Sequence, residues 1–366
     1  MKRIIFFINS LSNGGAEHQL TELANGLADL GYDVTITTFT DEMDHYSISP
    51  KVKRHRIAPH RSDAIKILSI YKYFLQVKSD WIIGFGHRVN LYCIMPLLLR
   101  SKKEIRAIAG ERCAFSHDMN KKDKYLYRKV YNRSEYIVPN SYTQYNQILD
   151  IFPSLKDKMY VISNFTDLTA FKNTNLPGEE VIRIGIFGRY NVQKNCLRFV
   201  EAVHRLKEKT NQRFEVEWYG DQRFKDSQPN IEYEKMRDKV NDYNIQKYLV
   251  LNDRIKDVQE KMPKYDAICL PSLWEGFSNS ISEAICCGKP CLVSDVADNA
   301  VMVKDGVNGF LFDPKNVDSI VEAFMKFFSL TREERESMGR ASRKRAEELF
   351  DRERFINAYI NLIESK

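Results

Sequence analysis

The sequence predicts two α/β domains, each with a doubly wound, largely parallel sheet covered by helices on both faces. The chain has 366 residues, more than one hydrophobic core usually serves. Short apolar runs alternate with amphipathic stretches along most of it, which is the order that builds parallel sheets. Residues 1–165 carry 24 Lys and Arg against 16 Asp and Glu, a balance of +8, whereas the remainder carries 32 against 33. This uneven charge also favours two domains with different partners.

Apolar runs and helical periodicity define the predicted elements in each half. Runs such as IIFFIN and WIIGF predict strands, and several of the stretches between them repeat apolar residues at the period of an amphipathic helix. In the N-terminal half the predicted strands are 4–9, 34–39, 81–85, 105–110, 136–140 and 160–163, and the predicted helices are 17–30, a segment around 128–131, and 142–150. In the C-terminal half the predicted strands are 182–188, 214–220, 265–272 and 291–295, and the predicted helices are 196–209, 280–287 and 317–328.

The segment 164–180, NFTDLTAFKNTNLPGEE, separates the two halves. It is polar, contains Pro177 and Gly178, and lacks periodicity, so it is typical of a linker. We therefore expect domains at 1–165 and 178–350, with a helix at 351–366 that packs back on the N-terminal domain. Ligands of doubly wound sheets gather at the carboxyl ends of the strands, so a binding cleft between the domains is expected.

Composition restricts the class of protein. Hydrophobic residues make up 43% of the chain and charged residues 29%, as in ordinary globular proteins. The longest apolar run, 91–99, contains a proline and is too short to span a bilayer, and the first apolar run is too brief for a signal peptide. The seven cysteines have no zinc-site spacing, so we expect small buried thiols in a reducing cytoplasm and no metal site.

The loop SLSNGGAEHQL follows the first predicted strand and leads into a helix. Gly14 and Gly15 let the backbone approach a ligand closely, and a helix start presents free N–H groups. Taken alone, the pair is better explained by a tight turn. The patterns GxGxxG and GxxxxGK[ST] are absent here, which disfavours dinucleotide and P-loop chemistry.

A second candidate site is FGRYNVQKN, directly after the first strand of the C-terminal half. Arg189 and Lys194 both lie in this strand-to-helix loop, where two cations can grip a pyrophosphate. Two solvated loop charges are the alternative if the motif stands alone.

The third candidate, LPSLWEGFSNSISEAICCGKP, places Glu275 in a turn and Glu283 inside a helix. Backbone N–H groups over Gly276–Asn279, which includes Phe277 and Ser278, point at an anion if the helix starts at or near Ser280. Ser280 and Glu283 also fit the Ser-x-x-Glu capping pattern, a structural alternative for Glu283. Glu275 has an alternative as an exposed loop acid.

These three motifs together resemble the family 4 glycosyltransferases, retaining enzymes of the GT-B fold that use nucleotide-sugar donors. The resemblance covers nearly the whole chain and includes GGAE, GR-x4-KN from Gly188, EGFSNSISEA, VISNFTD and NGFLFDP. It implies that Glu275 contacts the donor sugar and Glu283 holds the ribose. It also implies that Arg189, Lys194 and the helix start bind the diphosphate without a metal, and that Gly15 touches the phosphates when the cleft closes.

The N-terminal half departs from the family pattern. Many members have a histidine at the end of the fifth strand, whereas this chain has Glu111 and Arg112 there. Members that build bacterial surface polysaccharides look similar, so Glu111 is predicted as a site residue. His87 also follows a strand, and the sequence leaves open which of His87 and Glu111 lies nearer the donor sugar. The family's common arginine after GGAE is His18 here.

The resemblance implies a cytoplasmic enzyme that moves a hexose or N-acetylhexosamine, from a UDP-linked donor, onto a lipid-linked or oligosaccharide acceptor. No cofactor and no nucleic acid are expected. The basic stretches 64–78 and 121–133 suit peripheral contact with an anionic membrane, although an ordinary helix with a solvated face explains 64–78 at least as well. The alternatives are a nucleotide-sugar epimerase of the same shape and a non-catalytic nucleotide-sugar-binding partner.

Overall fold

The structure is a computed structural model that describes residues 2–12, 14–40, 45–58, 62–101, 104–112, 120–172, 180–223 and 228–365. The chain forms two compact units. Unit 1 comprises Met1–Phe165 together with Arg352–Lys366, and unit 2 comprises Thr166–Asp351. Each unit is built on a six-stranded parallel sheet.

Unit 1 has the strand order β3-β2-β1-β4-β5-β6. Successive side chains of a strand point to opposite faces, and in the first strand Ile4 and Phe6 enter one hydrophobic cluster while Ile5 and Phe7 enter another. Both faces of the sheet are therefore covered, as the buried apolar strands require. The strands are β1 (Arg3–Phe7), β2 (Asp33–Thr38), β3 (Lys53–Arg56), β4 (Trp81–Phe85), β5 (Arg106–Glu111) and β6 (Tyr136–Pro139); the helices are α1 (Gly15–Asp29), α2 (Asp63–Gln76), α3 (His87–Ile94), α4 (Lys121–Arg133) and α5 (Tyr142–Ile151).

Unit 2 has the strand order β12-β11-β10-β7-β8-β9. Its central strand that begins at Ala267 alternates in the same way, since Ala267 and Cys269 face one cluster while Ile268 and Leu270 face the other. The strands are β7 (Ile182–Phe187), β8 (Phe214–Gly220), β9 (Leu249–Asp253), β10 (Ala267–Leu270), β11 (Cys291–Ser294) and β12 (Gly309–Phe312); the helices are α6 (Cys196–Lys209), α7 (Ile231–Asp242), α8 (Val258–Lys261), α9 (Asn279–Cys286), α10 (Asn299–Met302), α11 (Val317–Ser329) and α12 (Arg332–Leu349).

Helix α13 (Arg352–Glu364) belongs to unit 1 although it follows unit 2 in the chain. Its apolar face, which includes Phe355 and Tyr359, lies in the same hydrophobic cluster as the β1 residues Ile4 and Phe6. The Ile356 side chain occupies the space that a Cβ on Gly26 of α1 would need. At its start, Arg352 Nε donates to Glu22 Oε2 at 2.9 Å. The helix therefore completes the core of unit 1.

Most predicted elements are confirmed, with errors at the polar and terminal ones. The segment 160–163 is not a strand. It runs beside β6, with an isolated bridge from Met159 to Ile137 and backbone hydrogen bonds from Tyr160 and Ile162, but it forms no regular ladder. The strands β3, β9 and β12 were not predicted. The β3 sequence KRHR has no apolar alternation, since it lies at the sheet edge with its side chains largely exposed.

The six cysteines in the described ranges are buried free thiols, as predicted, and Cys113 lies outside those ranges. Within the same ranges, no helix has the length and apolar character that a membrane span needs.

Candidate active site

An ion pair between Lys194 and Glu275 lies at the centre of the candidate site in unit 2. Lys194 Nζ is 2.6 Å from Glu275 Oε1, and the two side chains are only 13% and 8% exposed. The two residues lie in the loops that follow β7 and β10, and these strands are neighbours in the sheet. The pairing of parallel strands therefore brings together two residues that are far apart in sequence.

Gln193 ties the same two loops together. Its backbone carbonyl accepts from Leu273 N at 2.8 Å, and its side-chain Nε2 donates to the Trp274 carbonyl at 2.9 Å. The same Nε2 lies 3.4 Å from Glu275 Oε2. Sequence reasoning passed over Gln193, although it stands inside the predicted motif beside Lys194. These contacts hold the Glu275 carboxylate in a fixed orientation.

The local turn explains how Lys194 reaches the carboxylate. Asn191 caps a short 3₁₀ turn, Val192–Lys194, by accepting from Lys194 N at 3.0 Å. Asn195 then takes a left-handed conformation with φ of 62°, and its Nδ2 donates to the Pro314 carbonyl at 2.7 Å. A Cβ on Gly188 would stand 3.2 Å from Lys194 Cε, so the glycine leaves room for the lysine stem.

Arg189 differs from Lys194 in its surroundings. Its side chain is exposed, and it forms no ion pair within the described part of the chain. The loop after β7 thus carries one cation held by a carboxylate and one open to solvent. An arginine of this kind is available to an anionic ligand.

Helix α9 presents its N-terminus beside this ion pair. Ser278 is the N-cap, and its hydroxyl donates to Asn299 Oδ1 at 2.6 Å instead of capping the helix. In the described ranges, the backbone N–H groups of Gly276, Phe277 and Ser278 donate to no protein acceptor. Free N–H groups at a helix start favour an anion. The turn predicted as an anion site has the required donors.

The structure does not support the capping alternative for Glu283. The helix begins at Asn279, so Ser280 is already inside it and no side chain caps the N-terminus. The Glu283 carboxyl is half-buried and has no hydrogen-bond partner among the residues that the structure describes. Burial raises the pKa of Glu283 to about 8. This carboxyl has no hydrogen-bond partner in the described ranges, and burial disfavours its ionised form. Such a group is a candidate for ligand binding.

In unit 1 the predicted residue Glu111 lies at the carboxyl end of β5 and is fully buried. Its Oε1 accepts from Asn90 Nδ2 at 2.8 Å and from the Tyr131 hydroxyl at 2.9 Å. Its Oε2 lies 3.3 Å from Nδ1 of His87, whose side chain is 30% exposed. Of the two residues, His87 reaches the surface and Glu111 lies behind it.

Aromatic side chains of α4 complete this cluster. The Tyr127 ring stacks on the His87 ring with centroids 3.7 Å apart, and the Tyr127 hydroxyl donates to the His87 carbonyl at 3.3 Å. Burial, together with the nearby Glu111 carboxylate, raises the pKa of both Tyr127 and Tyr131. Both phenols therefore remain donors at neutral pH. Their spacing of four residues on one helix face was the available sequence signal.

The first predicted motif lies at the start of α1. Gly14 is the N-cap and Gly15 the first helical residue, and no side chain caps this end. The Tyr46 hydroxyl donates to the Gly14 carbonyl at 3.1 Å, and the His18 ring packs on the Tyr46 ring with centroids 4.9 Å apart. The helix start predicted to approach phosphate is present in unit 1.

Arg112 has an interior position. It donates to the hydroxyl of Tyr359 on α13, and its guanidinium lies 4.3 Å from the centroid of the Phe85 ring. It therefore fastens α13 to the sheet of unit 1. Across the described ranges, no cluster of three or more His, Cys, Asp or Glu side chains forms a candidate metal site.

Two family models match the chain, and together they cover most of it. The model described as "Glycosyl transferases group 1" matches residues 169–345, and the model described as "Glycosyltransferase Family 4" matches residues 13–170. The first contains the Lys194–Glu275 loops, and the second contains His87 and Glu111.

Curated relatives and solved structures agree with these matches. An uncharacterized glycosyltransferase of Methanocaldococcus jannaschii is 26% identical and covers 84% of this chain and 83% of its own. A Campylobacter jejuni GalNAc-α-(1→4)-GalNAc-α-(1→3)-diNAcBac-PP-undecaprenol α-1,4-N-acetyl-D-galactosaminyltransferase is 23% identical over 85% of this chain and 84% of its own. The crystal structure of Anabaena HepE with UDP and glucose is similar with a TM-score of 0.81 over 100% of both chains, at 15% identity. This likeness confirms the predicted GT-B fold class.

Proposed function

Because the chain belongs to the family 4 glycosyltransferases, we propose that it transfers a hexose or N-acetylhexosamine from a UDP-linked donor, with retention and without a metal. The acceptor is a lipid-linked or oligosaccharide intermediate of a bacterial surface glycan, such as lipopolysaccharide, O-antigen or capsule. One observation carries the proposal: the Lys194–Glu275 ion pair lies beside the free N–H groups at the start of α9. A nucleotide-sugar carries a diphosphate, which a lysine and free N–H groups can bind, and sugar hydroxyls, which can donate to a carboxylate.

The diphosphate of the donor binds to Arg189, Lys194 and the N–H groups of Gly276–Ser278. These groups supply two positive charges and three backbone donors, which suit a charged leaving group. The donor is UDP-linked by analogy with the HepE complex with UDP and glucose.

The two glutamates have separate tasks. Glu275, fixed by Lys194 and Gln193, accepts hydrogen bonds from hydroxyls of the donor sugar. Glu283, which lacks a protein partner in the described ranges, holds the ribose hydroxyls. Its pKa of about 8 leaves it largely protonated at neutral pH in the free protein, so it is able to donate as well as accept. Ribose binding then satisfies a carboxyl that the fold leaves unsatisfied.

The acceptor is reached at the inner face of the plasma membrane. Helix α2 exposes Ile65, Leu68 and Leu75, and helix α4 exposes Tyr125 among several lysines. Both helices pack against α3. Apolar side chains surrounded by cations favour the surface of an anionic leaflet. The Campylobacter relative is named for an undecaprenol-linked substrate, which agrees with an acceptor held in a membrane.

Transfer of radiolabelled sugar tests the proposal directly. We expect label from one of a panel of UDP-sugars to appear in a polyprenyl diphosphate-linked acceptor, and turnover to persist in EDTA. An epimerase would change the donor without acceptor, and a non-catalytic partner would bind UDP without turnover. Lys194→Ala should abolish the transfer. Lys209→Ala should not, because Lys209 is an exposed lysine at the end of α6, outside the proposed site. Failure of every donor would reject the proposed activity.

A further inference from the structure

The serine at the start of α9 does not act as a helix cap, although its place in the chain suits one. Ser278 is the N-cap residue, and it is almost fully buried. A serine at this position ordinarily accepts a hydrogen bond from an N–H group of the first helical turn. Ser141 does so at the start of α5, where its side chain accepts from Gln144 N at 3.1 Å. Within the described ranges, no side chain takes this role in α9.

Asn299, the first residue of α10, holds the Ser278 side chain elsewhere. Its Nδ2 donates to the Ser294 carbonyl at 2.9 Å, which fixes the amide with Oδ1 toward Ser278. A carbonyl oxygen only accepts, so the Ser278 hydroxyl supplies the hydrogen of its 2.6 Å contact with Oδ1. Asn299 is fully buried, so both of its hydrogen bonds are shielded from water. The backbone of Ser278 has ψ of 85°, whereas the capping Ser141 has an extended ψ of 153°.

The loop that carries Asn299 is tied to the sheet and is strained. Ser294 ends β11, and its hydroxyl donates at 3.2 Å to the carbonyl of Leu270, which ends β10. Ala297, two residues before Asn299, has φ of 51°, a left-handed conformation that alanine rarely adopts. Such strain persists where the surrounding structure or the function requires it. Here it lets the chain turn back from β11 and bring Asn299 to the N-cap of α9.

The contact with Asn299 leaves N–H groups at the start of α9 open. Ser280 is the second residue of the helix, and a cap oxygen ordinarily bonds to the N–H of this residue or the next. Like those of Gly276–Ser278, the Ser280 N–H has no acceptor in the described part of the chain. A capping Ser278 oxygen would occupy Ser280 N and place its lone pairs where a phosphate oxygen has to bind. Cap and phosphate therefore compete for the same donor.

We propose that Asn299 is a positioning residue of the diphosphate site. By accepting the Ser278 hydrogen, it keeps the Ser278 oxygen away from the first turn of α9, so that these N–H groups remain available to phosphate. This rests on the proposed function, in which the diphosphate binds at this helix start, and it adds a residue of a different loop to the site. All of the groups involved lie in unit 2. Asn299 touches no phosphate itself and acts through Ser278.

Asn299→Ala tests the role, because it frees Ser278 to cap α9. Phosphate must then displace the cap, so we expect the affinity for UDP in calorimetry to fall about fivefold to tenfold, the factor that corresponds to a typical cap. Asn299→Ala/Ser278→Ala removes the cap oxygen as well, and we expect it to bind UDP more tightly than Asn299→Ala alone. A purely structural contact predicts the opposite order, since the double variant loses more interactions.

Asn308→Ala is the matched control for stability. Asn308 is another buried asparagine of unit 2 with two side-chain hydrogen bonds. Its Oδ1 accepts from Lys304 N at 2.6 Å, and its Nδ2 donates to the Met302 carbonyl at 3.1 Å. We expect both single variants to melt below the wild type, and only Asn299→Ala to lose affinity for UDP.

Amide hydrogen exchange in the wild type tests the uncapped helix start without any substitution. The Ser280 amide should exchange freely in the absence of UDP and slowly in its presence. Glu334 gives the reference for a capped amide, since its N–H donates to Thr331 Oγ1 at 3.2 Å at the exposed start of α12. In Asn299→Ala the Ser280 amide should be protected even without UDP.

The outcomes keep this role apart from the proposed function. A wild type that binds no UDP overturns the proposed function, and the role of Asn299 with it. Where the wild type does bind UDP, three results overturn the role of Asn299 alone. These are wild-type UDP affinity in Asn299→Ala, a double variant that binds no better than the single one, and a Ser280 amide already protected in the free wild type. An equal loss of affinity in Asn308→Ala would assign the effect to stability and overturn the role as well.

Discussion

Lys194 and Glu275 hold each other in a largely buried ion pair, with 2.6 Å between Nζ and Oε1, in the loops after two neighbouring strands. Lys194 is proposed to bind phosphate and Glu275 to bind the sugar. The contact means that these two side chains are already held together before any donor binds. Substitutions at either residue therefore affect both the stability of unit 2 and its chemistry.

The two cations of the loop after β7 should differ in their effect on stability. Lys194→Ala leaves the Glu275 carboxylate without its partner, so we expect a loss of about 1–3 kcal/mol in the free energy of unfolding. Arg189→Ala removes an exposed side chain and should change it by less than about 0.5 kcal/mol. Both should weaken UDP binding and lower turnover strongly. Denaturant melts with UDP calorimetry measure both quantities, and equal stabilities for the two variants would contradict the role of the ion pair.

Glu283→Gln should stabilise the free protein at neutral pH. The pKa of Glu283 is about 8 in the folded state and near 4.5 in the unfolded state, so the unfolded chain loses this proton first. The group therefore has no effect on stability below pH 4.5, lowers it progressively as the pH rises to 8, and lowers it by a constant amount above. We expect the variant to gain about 1–3 kcal/mol at pH 7 and to lose this part of the pH dependence.

The same variant should bind donor poorly, because the glutamine is proposed to lose the ribose contact. Its donor KM should rise more than its kcat falls. Glu334→Ala is the contrasting control, since Glu334 does form a capping box with Thr331 at the start of α12 and its loss should lower the melting temperature. A Glu283→Gln protein that melts below the wild type at pH 7 would show that the carboxyl has a structural role.

Glu275→Gln should act mainly on kcat. The amide keeps the shape of the side chain but loses the charge that Lys194 and the sugar hydroxyls share, so the ring of the donor is less well oriented where its anomeric bond breaks. We expect the maximal rate to fall while UDP affinity stays within a few-fold of the wild type. Steady-state kinetics at saturating donor check this, and a full maximal rate would defeat the assignment.

Membrane association should depend on both charge and the exposed apolar residues of α2. Binding to anionic vesicles should exceed binding to zwitterionic vesicles. It should weaken as the salt concentration rises, because salt screens the attraction between the lysines and the anionic lipids. Leu68→Ser with Leu75→Ser should reduce it further. Leu30→Ser is the control, since Leu30 is equally exposed at the end of α1 in the same unit. Sedimentation with vesicles measures all of these, and equal binding to both lipid types would refute the idea.

Sequence patterns predicted the fold class and the motif residues, but not how those residues pair. Glu275 and Lys194 were each recognised within their motifs, yet their contact depends on β7 lying beside β10, which no local pattern encodes. The link between His87 and Glu111 similarly depends on β4 lying beside β5. Long-range pairing of strands decides these contacts, and periodicity reports only the local state of the chain.

The errors have local physical causes. The Ser-x-x-Glu pattern at Ser280 fits a helix start, but Ser278 is the N-cap and its hydroxyl donates to Asn299, so Ser280 lies inside the helix and caps nothing. The edge strand β3 was missed because strands at a sheet edge need not be apolar. A short apolar run at 160–163 resembles a strand, and Tyr160 and Ile162 do donate backbone hydrogen bonds to β6, but the pairing does not continue as a regular ladder.

The return of α13 to unit 1 has a consequence for synthesis on the ribosome. Unit 1 is discontinuous in sequence, and its core includes Phe355 and Tyr359, which emerge only after all of Thr166–Asp351 has been made. Unit 2 is continuous and has its complete core before that point. Unit 1 is thus synthesised first but completed last. Until α13 is made, it does not cover the surface of α1 around Gly26 or bind the Arg112 guanidinium. A chain truncated before Arg352 should therefore leave these surfaces of unit 1 uncovered and available to chaperones.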